Sequence, residues 1–336
     1  MSYHWHNLLG MESAVRELRG SFAENRLNHA YLLVGAAGSG KDTLARTLAA
    51  RFLCHSPADN DACGRCVSCQ MFAENNHPDF LALPRDTRYL TVAQFVERDN
   101  SPTENIDHQP VLTLVNLKPA LGRGRVVVIA DAERMRDEAA NAFLKTLEEP
   151  PPESLLILTA AAPKLLPNTI VSRCRRVLVT PLPPPVISAE LARRAPEAPA
   201  AARTLAAELS GGSLGEALRL ATGAVFADWQ KLQTLWREFT PAAAARWAEE
   251  IIGGFTKEMD GDAKRKFLAD WLNMGALQIR QNLRRGQLSG WAASVGLTAL
   301  WTAGERLNAN VRPELVALTA ALNCFAALKE QLTINN

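Results

Sequence analysis

The stretch that most constrains the fold is residues 34–43, which read Val-Gly-Ala-Ala-Gly-Ser-Gly-Lys-Asp-Thr. Their spacing matches the phosphate-binding loop pattern G-x-x-x-x-G-K-[ST] at Gly35, Gly40 and Lys41. An apolar run, residues 30–34, precedes the loop, and a segment with apolar residues at every fourth position follows it. This order of strand, loop and helix predicts a P-loop α/β domain and argues against an ordinary glycine-rich turn.

One position in the loop departs from the pattern. In a working loop, backbone N–H groups at glycines such as Gly38 surround phosphate oxygens, and the hydroxyl after the lysine binds magnesium. The chain has Asp42 at that hydroxyl position. Two like charges about 4 Å apart repel by about 1 kcal/mol in water and by about 4 kcal/mol at an effective dielectric of about 20. Thr43 offers a hydroxyl, but one further residue along a helix turns the side chain by about 100°.

A second part of the predicted site lies 90 residues after Lys41. Residues 125–131 are a β-branched run, typical of a strand covered on both faces, and they end at Asp131. The magnesium-orienting carboxylate of a P-loop ATPase belongs at such a strand end. The next residue is Ala132 instead of a glutamate that would polarise water, and we expect Glu133 to act as a helix-start carboxylate. The candidate residues of this degenerate nucleotide site are Gly35, Gly38, Gly40, Lys41, Thr43 and Asp131.

Four cysteines follow the loop helix within sixteen residues, at Cys54, Cys63, Cys66 and Cys69. The two C-x2-C steps bend the backbone around an ion, and four thiolates close a tetrahedral zinc site. Such a site has no open position, so we predict a structural zinc; a redox role and plain reduced thiols are the alternatives. His77 is predicted to be a structural histidine in a turn, because four cysteines already satisfy the metal.

Length, hydrophobicity and net charge predict the number of domains, the cellular compartment and the kind of partner. A length of 336 residues predicts two or three domains. The chain lacks an uninterrupted apolar run of about 18 residues, and its first six residues do not resemble a signal peptide, which predicts a cytoplasmic protein without a membrane partner. A net charge of +2 is far from the basic balance of a dedicated DNA-binding domain. We therefore expect any contact with DNA to use a local patch or a larger assembly.

The order of motifs along the chain carries a family resemblance. Strand and helix patterns alternate over residues 30–180, which predicts a parallel α/β sheet. After the P-loop and the four cysteines come residues 77–79 (His-Pro-Asp), Asp131, residues 141–151 (Asn-Ala-Phe-Leu-Lys-Thr-Leu-Glu-Glu-Pro-Pro) and residues 172–174 (Ser-Arg-Cys). This series resembles the bacterial clamp-loader branch of the AAA+ proteins, which serves DNA polymerase III. The resemblance implies an AAA+ P-loop domain with an inserted zinc module, a small helical lid and an all-α collar domain.

Within this branch, the resemblance separates motor subunits from a stator. Motors keep a hydroxyl after the P-loop lysine, a glutamate after the strand-end aspartate, a polar sensor residue after the next strand, and an arginine in a Gly-Ser-x-Arg-x-Ala-Leu motif. At these four positions the chain has Asp42, Ala132, an alanine near Ala160, and Gly215. The joint loss implies a subunit that is inactive as an ATPase.

Arg173 is retained in the Ser-Arg-Cys triplet. The resemblance implies that this side chain enters the nucleotide site of a neighbouring subunit as an arginine finger. A guanidinium suits that role because it stays charged and presents a planar fork of donors to phosphate oxygens. The alternative is that Arg173, Arg175 and Arg176 form a solvated basic cluster.

The composition changes after residue 180. Residues 181–185, Pro-Leu-Pro-Pro-Pro, predict a stiff extended connector, and the rest of the chain predicts helices. Aromatic residues at helical spacing, including Trp229, Trp247, Trp271 and Trp291, are predicted to pack a bundle core. The predicted domains are 1–180 (AAA+, with the zinc module at 54–69), 181–223 (helical lid) and 224–336 (helical collar).

Three functions are left open by the sequence. The leading prediction is a stator that closes the clamp-loader ring with gamma/tau motors and delta, and that takes part in ATP-dependent loading of the sliding clamp onto primed DNA. It would be a component of the DNA-directed DNA polymerase (nucleotidyltransferase) holoenzyme without catalysis of its own. The alternatives are an active gamma/tau-like motor using Lys41 and Thr43, and a free-standing zinc-dependent DNA-binding protein.

Overall fold

The computed structural model describes residues 3–83, 89–96, 109–236, 241–309 and 311–332. The chain divides into two compact units, which are described separately below. The first unit contains residues 1–183 and 211–213, and the second contains residues 184–210 and 214–336. The predicted three-domain division stays a prediction.

The first unit is built on a five-stranded parallel sheet with the strand order β2-β3-β4-β1-β5. The strands are β1 (Ala30–Val34), β2 (Phe80–Ala82), β3 (Arg125–Ile129), β4 (Ser154–Ala160) and β5 (Arg175–Leu178). In this order β1 lies between β4 and β5, so the loop that follows β1 emerges between the carboxyl ends of two neighbouring strands.

Both faces of the sheet are buried. Along β3, Val126 and Val128 belong to one hydrophobic cluster, while Val127 and Ile129 belong to another. Side chains alternate between the faces of a strand, so a continuous apolar run requires a cover on each side. The helices of this unit supply both covers, which confirms the predicted fold class of a parallel α/β domain.

The helices of the first unit follow the sequence pattern with small shifts at their ends. They are α1 (Glu12–Ala23), α2 (Lys41–Leu53), α3 (Val67–Ala73), α4 (Val111–Asn116), α5 (Asp137–Glu148) and α6 (Asn168–Arg173). The alternation of strands and helices over residues 30–180 also predicts helices over 92–96 and 111–121. The first is a single 3-10 turn, Val92–Gln94, and the second, α4, ends at Asn116, five residues before Leu121. Residues 97–108 lie outside the described part of the chain.

The described part of the second unit contains helices and no strands. Its helices are α7 (Pro184–Arg194), α8 (Ala200–Leu209), α9 (Leu214–Thr222), α10 (Val225–Leu235), α11 (Pro241–Gly253), α12 (Gly261–Arg284), α13 (Gly290–Asn308) and α14 (Pro313–Leu332). The predicted extended connector is therefore wrong at its end, because α7 already begins at Pro184. Proline is well tolerated in the first turn of a helix, where its missing N–H has no intrahelical partner.

The predicted aromatic core of the second unit is largely confirmed. Trp229, Trp247 and Trp271 are buried, and Trp247 packs edge-on against Trp236 with ring centroids 6.4 Å apart. Trp291 is the exception: it is 59% exposed at the start of α13, so the prediction that it packs in the core is wrong.

Of the helices in the described ranges, none is both long and apolar enough to cross a membrane.

Candidate functional site

The predicted phosphate loop connects β1 to α2. Gly40 caps the helix with a φ of 89°, a left-handed conformation that glycine adopts without strain, and α2 begins at Lys41. The Lys41 side chain is buried, and its ammonium group donates to the carbonyl oxygens of Gly35 at 2.7 Å and Ala36 at 2.8 Å. In this conformation the lysine is directed back onto its own loop.

The loop is also tightly packed on its outer side. Gly38 has a φ of 72°, and a Cβ added there would overlap the side chain of Ser213. A Cβ added at Gly40 would overlap the terminal methyl group of Met11. The loop is therefore closed in by Ser213 and Met11, which the sequence pattern gave no reason to place there.

The residues after the lysine do not supply the usual magnesium ligand. Asp42 holds the hydroxyl position in the first turn of α2, and Thr43 is exposed while Lys41 is buried. The side chains of Asp42 and Thr43 thus point in different directions, as the helical turn of about 100° per residue requires. These residues do not fit a magnesium–nucleotide complex in this arrangement, and the degenerate nucleotide site stays a prediction.

Asp131 lies beyond the carboxyl end of β3, and β4 separates it from the phosphate loop. Its backbone N–H donates to the hydroxyl oxygen of Thr159 at 3.0 Å, and Ala132 is fully buried. Glu133 lies in the first turn of a short 3-10 helix, Ala132–Arg134, as expected of a helix-start residue, but its carboxylate does not serve that helix. Its carboxylate instead accepts hydrogen bonds from the backbone N–H groups of Ala161 at 2.8 Å and Ala162 at 3.2 Å. The acid therefore holds the loop that follows β4.

The four predicted zinc ligands converge between α2 and α3. Cys54, Cys63, Cys66 and Cys69 place their sulfur atoms within 4.8 Å of one another. The sulfurs of Cys54 and Cys66 are 4.0 Å apart, close to the roughly 3.8 Å edge of a tetrahedron with Zn–S bonds of about 2.3 Å. The four thiols therefore fit a metal ion, and the cluster could hold one.

Backbone N–H groups donate to two of these sulfurs. The N–H of Cys63 donates to the Cys54 sulfur at 3.2 Å, and the N–H of Cys66 donates to the Cys63 sulfur at 3.4 Å. Burial opposes ionisation of Cys63, but the backbone N–H groups of Arg65 and Cys66 lower the pKa of its thiol to about 6. Burial raises the pKa of Cys54 and Cys69. Thiolate is the form that binds metal, so the cluster is already partly prepared for an ion.

His77 connects this cluster to the sheet. Its Nδ1 accepts the backbone N–H of Asp79 at 3.1 Å, so Nε2 carries the proton and donates to the Ser68 hydroxyl at 2.9 Å. That hydroxyl donates in turn to the carbonyl of Leu53. Burial lowers the pKa of the imidazole, which keeps it neutral. The predicted structural histidine is confirmed.

Asp79 is a buried residue whose structural role the sequence analysis missed. Its two carboxylate oxygens accept the backbone N–H groups of Ala120 at 2.7 Å and Leu121 at 2.8 Å, and one of them pairs with Arg125 at 3.4 Å. The carboxylate thus fixes the loop that leads into β3. No local pattern in the sequence indicates this pairing, because Asp79 precedes β2 and Arg125 begins β3, and only the pairing of the two strands brings them together.

Arg173 is the last residue of α6, directly before β5. Its guanidinium donates to the carboxylate of Glu148 at 2.5 Å and to the carbonyl of Thr169 at 2.9 Å, and about a third of the side chain is exposed. Arg173 therefore lies at the amino end of β5, whereas the phosphate loop follows the carboxyl end of β1. The parallel register pairs Tyr31, near the start of β1, with Arg175. The two sites thus lie at opposite ends of the sheet.

Gly215 stands in the first turn of α9 in the second unit. One turn later, Arg219 donates to Glu216 and, at 2.9 Å, to both carboxylate oxygens of Asp270. The Glu216 carboxylate is the main cause of the raised pKa of this guanidinium; burial opposes the rise, and Asp270 adds to it. Arg219 is thus held in an ion-pair network between α9 and α12.

Comparisons with known proteins agree on one family. The family described as "DNA polymerase III, delta subunit" matches residues 10–183. The delta-prime subunit of DNA polymerase III from Pseudomonas aeruginosa is 40% identical over 193 residues, covering 57% of this chain and 55% of the relative. The delta-prime subunit from Escherichia coli is 34% identical over 219 residues, covering 65% and 61%. The chain thus aligns with little more than half the length of these relatives.

More distant similarities extend to other subunits. The tau/gamma subunit from Haemophilus influenzae is 32% identical over 186 residues, covering 55% of this chain and 25% of the relative. Among solved structures, a gamma subunit-related protein from Thermotoga maritima has a TM-score of 0.47 at 16% identity, covering 92% of this chain and 99% of the other. Because the family match takes in more than half of the 336 residues, the chain belongs to the DNA polymerase III delta subunit family, with relatives that are named delta-prime.

Proposed function

We propose that this chain is the delta-prime-like stator of a cytoplasmic DNA polymerase III clamp loader. In this role it assembles with gamma/tau motors and delta, hydrolyses no ATP itself, and offers Arg173 to the nucleotide site of a neighbouring motor. The complex would then load the sliding clamp onto primed DNA. The main support is the position of Arg173, partly exposed at the end of the sheet opposite to its own phosphate loop.

Distance argues for action in trans. The register places Arg175 beside Tyr31, and four further residues lead from Tyr31 to Gly35. At about 3.3 Å per residue, the strand alone separates the two ends by about 13 Å. An arginine side chain reaches roughly half of that span, so Arg173 is unsuited to its own loop and suited to a neighbour that packs on the α6 side.

The conformation and sequence of the chain's own phosphate loop support the proposal that this chain does not hydrolyse ATP. Lys41 is bound to two loop carbonyls, Asp42 replaces the magnesium-binding hydroxyl, and Ala132 occupies the position of a water-polarising glutamate. A nucleotide would have to break both hydrogen bonds of Lys41 and bring its phosphates near a carboxylate. We propose that the loop persists as a fold element that supports β1 and α2.

The decisive experiment replaces Arg173 in a clamp loader reconstituted with motor subunits. Arg173→Ala is expected to leave assembly intact by size-exclusion chromatography and to reduce single-turnover hydrolysis at the neighbouring site by about 10³-fold or more. Arg173→Lys keeps the charge but loses the planar fork, so it should restore little activity. Arg176→Ala, at an exposed arginine of β5, is the matched control and should leave turnover unchanged. Unchanged turnover in Arg173→Ala would refute the finger assignment.

A motor ATPase is the second candidate, and the similarity to a tau/gamma subunit favours it. Titration of the isolated chain with ATP and magnesium separates the two. The stator proposal expects no turnover and no magnesium-dependent binding in the micromolar range. Magnesium-dependent binding with turnover, both lost in Lys41→Ala, would establish the motor instead.

We further propose that the metal of the four-cysteine cluster is a structural zinc. Four sulfur ligands leave no coordination position for water or substrate, so the ion would act only on the fold. It would tie the end of α2 to the start of α3, where Cys66 is the residue before the helix.

A further inference from the structure

A second group of metal-ligating side chains lies next to the four-cysteine cluster. It joins the amino-terminal turn of the chain to the loop between Cys54 and Cys63. The buried indole of Trp5 donates to the carbonyl of Asn60 at 2.8 Å, and the backbone N–H of Trp5 donates to the carboxylate of Asp61 at 3.3 Å. These contacts hold the turn and the loop in register.

The carboxylate of Asp61 is held in place through its Oδ1 oxygen and through the backbone of its loop. Its Oδ1 accepts the backbone N–H of Ala62 at 2.8 Å, and the backbones of Ala58 and Asp61 are joined by two hydrogen bonds of 3.1 and 2.7 Å. The loop is anchored a second time by Arg19, which donates to the carbonyl of Asp59 at 2.8 Å. Oδ2 is therefore held in place and faces His4.

The separation of His4 and Asp61 matches two ligands of one ion. Nδ1 of His4 and Oδ2 of Asp61 are 3.3 Å apart. The contact is also a long hydrogen bond, just beyond the range of about 2.7–3.2 Å that is usual for N–H···O. Two ligands on a tetrahedral zinc ion, with Zn–N and Zn–O bonds of about 2.05 Å, are separated by about 3.3 Å. The pair is thus spaced as a chelate.

His6 lies close enough to be a third ligand. Its ring is stacked on that of His4 with centroids 5.2 Å apart, and its ligand nitrogen lies within 4.8 Å of the ligand atoms of His4 and Asp61. The His6 side chain is exposed, so its imidazole has room on the solvent side to turn toward Asp61. Two imidazoles and one carboxylate are the protein ligands of many zinc sites in which water takes the fourth position.

We propose that His4, His6 and Asp61 form a second, separate site for a divalent cation such as Zn²⁺. The ion would bind two imidazole nitrogens, one carboxylate oxygen and a water molecule. It would clip the amino-terminal turn to the loop that precedes Cys63, and so stabilise the four-cysteine module from outside.

The test uses the full chain without an affinity tag, purified with zinc in the four-cysteine cluster and then titrated with Co²⁺. The wild-type protein is expected to bind one equivalent of Co²⁺, with visible bands of a nitrogen- and oxygen-ligated ion. Sulfur-to-cobalt charge-transfer bands should stay absent, because the cysteines retain their zinc. His6→Ala, which removes an exposed ligand without touching the Trp5 contacts, should weaken binding by at least about tenfold.

The matched control is His55→Ala, which removes another exposed imidazole next to the cysteine cluster. It should bind Co²⁺ like the wild type. The proposal is overturned if the wild type binds no Co²⁺ at millimolar concentration, if His6→Ala and wild type bind alike, or if binding is lost equally in His55→Ala. Circular dichroism of each variant checks that the loss is not one of folding.

Discussion

The buried carboxylate of Asp79 offers the sharpest test of how the first unit is held together. The residue is fully buried, accepts two short hydrogen bonds from the loop at residues 120–121, and pairs with Arg125, whose side chain is 7% exposed. Asp79→Ala removes all three interactions at once. It leaves the Arg125 guanidinium buried without its counter-charge.

The expected cost follows from this arrangement. Removing one partner of a buried ion pair typically costs about 3–5 kcal/mol, because the other charge remains uncompensated. Arg125 keeps its hydrogen bonds to the carbonyl oxygens of Leu117 and Lys118, which places the expected loss near the lower end, at about 3 kcal/mol. With a urea m-value of about 2 kcal/mol per molar, the unfolding midpoint should fall by about 1.5 M.

The assay is equilibrium urea unfolding followed by far-UV circular dichroism, with the transition of the first unit fitted separately from that of the second. Glu74→Ala, at an exposed acid just beyond α3, is the matched control and should change stability by less than about 0.5 kcal/mol. A midpoint for Asp79→Ala within about 0.3 M of the wild type would refute the reasoning, since it would mean that the buried pair contributes no net stability.

Two further predictions concern the metal and the finger. In a His6→Ala background, in which the second site is weakened, Cys66→Ser should lower the zinc content from one equivalent to near zero by atomic emission analysis. Retention of a full equivalent would contradict the assignment of the four cysteine ligands. Glu148→Ala removes the carboxylate that orients Arg173, an ion pair in which both side chains are at least a third exposed. Such an ion pair contributes at most about 1 kcal/mol, so the ATPase rate of the reconstituted loader should fall by no more than about fivefold. A loss as large as that of Arg173→Ala would show that Glu148 has a role beyond orienting Arg173.

Local patterns in the sequence predicted much of the fold. The apolar runs before the phosphate loop and before Asp131 form β1 and β3, because a strand covered on both faces must be apolar at every position. The spacing of the four cysteines predicted their convergence, since a C-x2-C step allows only a narrow range of backbone paths around a common centre. Helix ends were less well predicted: Pro184 was assigned to a connector and instead opens α7.

The interactions that sequence reasoning missed are those between residues far apart in the chain. Glu133 was expected to serve its own helix, but it binds the loop at residues 161–162 because β3 and β4 are neighbours in the sheet. Trp291 has the helical spacing of a core residue and is nevertheless exposed, because spacing defines a helix face without specifying what covers it.

By itself, the sequence determined the strand, loop and helix around Lys41 and the four cysteines that could hold a metal ion, and it predicted the positions at which catalytic groups are replaced. These features depend on residue identity and short-range spacing, both of which can be read directly from the sequence. Only the tertiary structure decided that Lys41 turns back onto its own loop, that Arg173 lies at the opposite end of the sheet, and that His4 and Asp61 meet. The last two facts depend on strand order and on contacts across more than fifty residues, because the sheet and its packing bring together side chains that no local pattern connects. The Lys41 contacts stay within the loop, but they depend on the path that the backbone takes between β1 and α2.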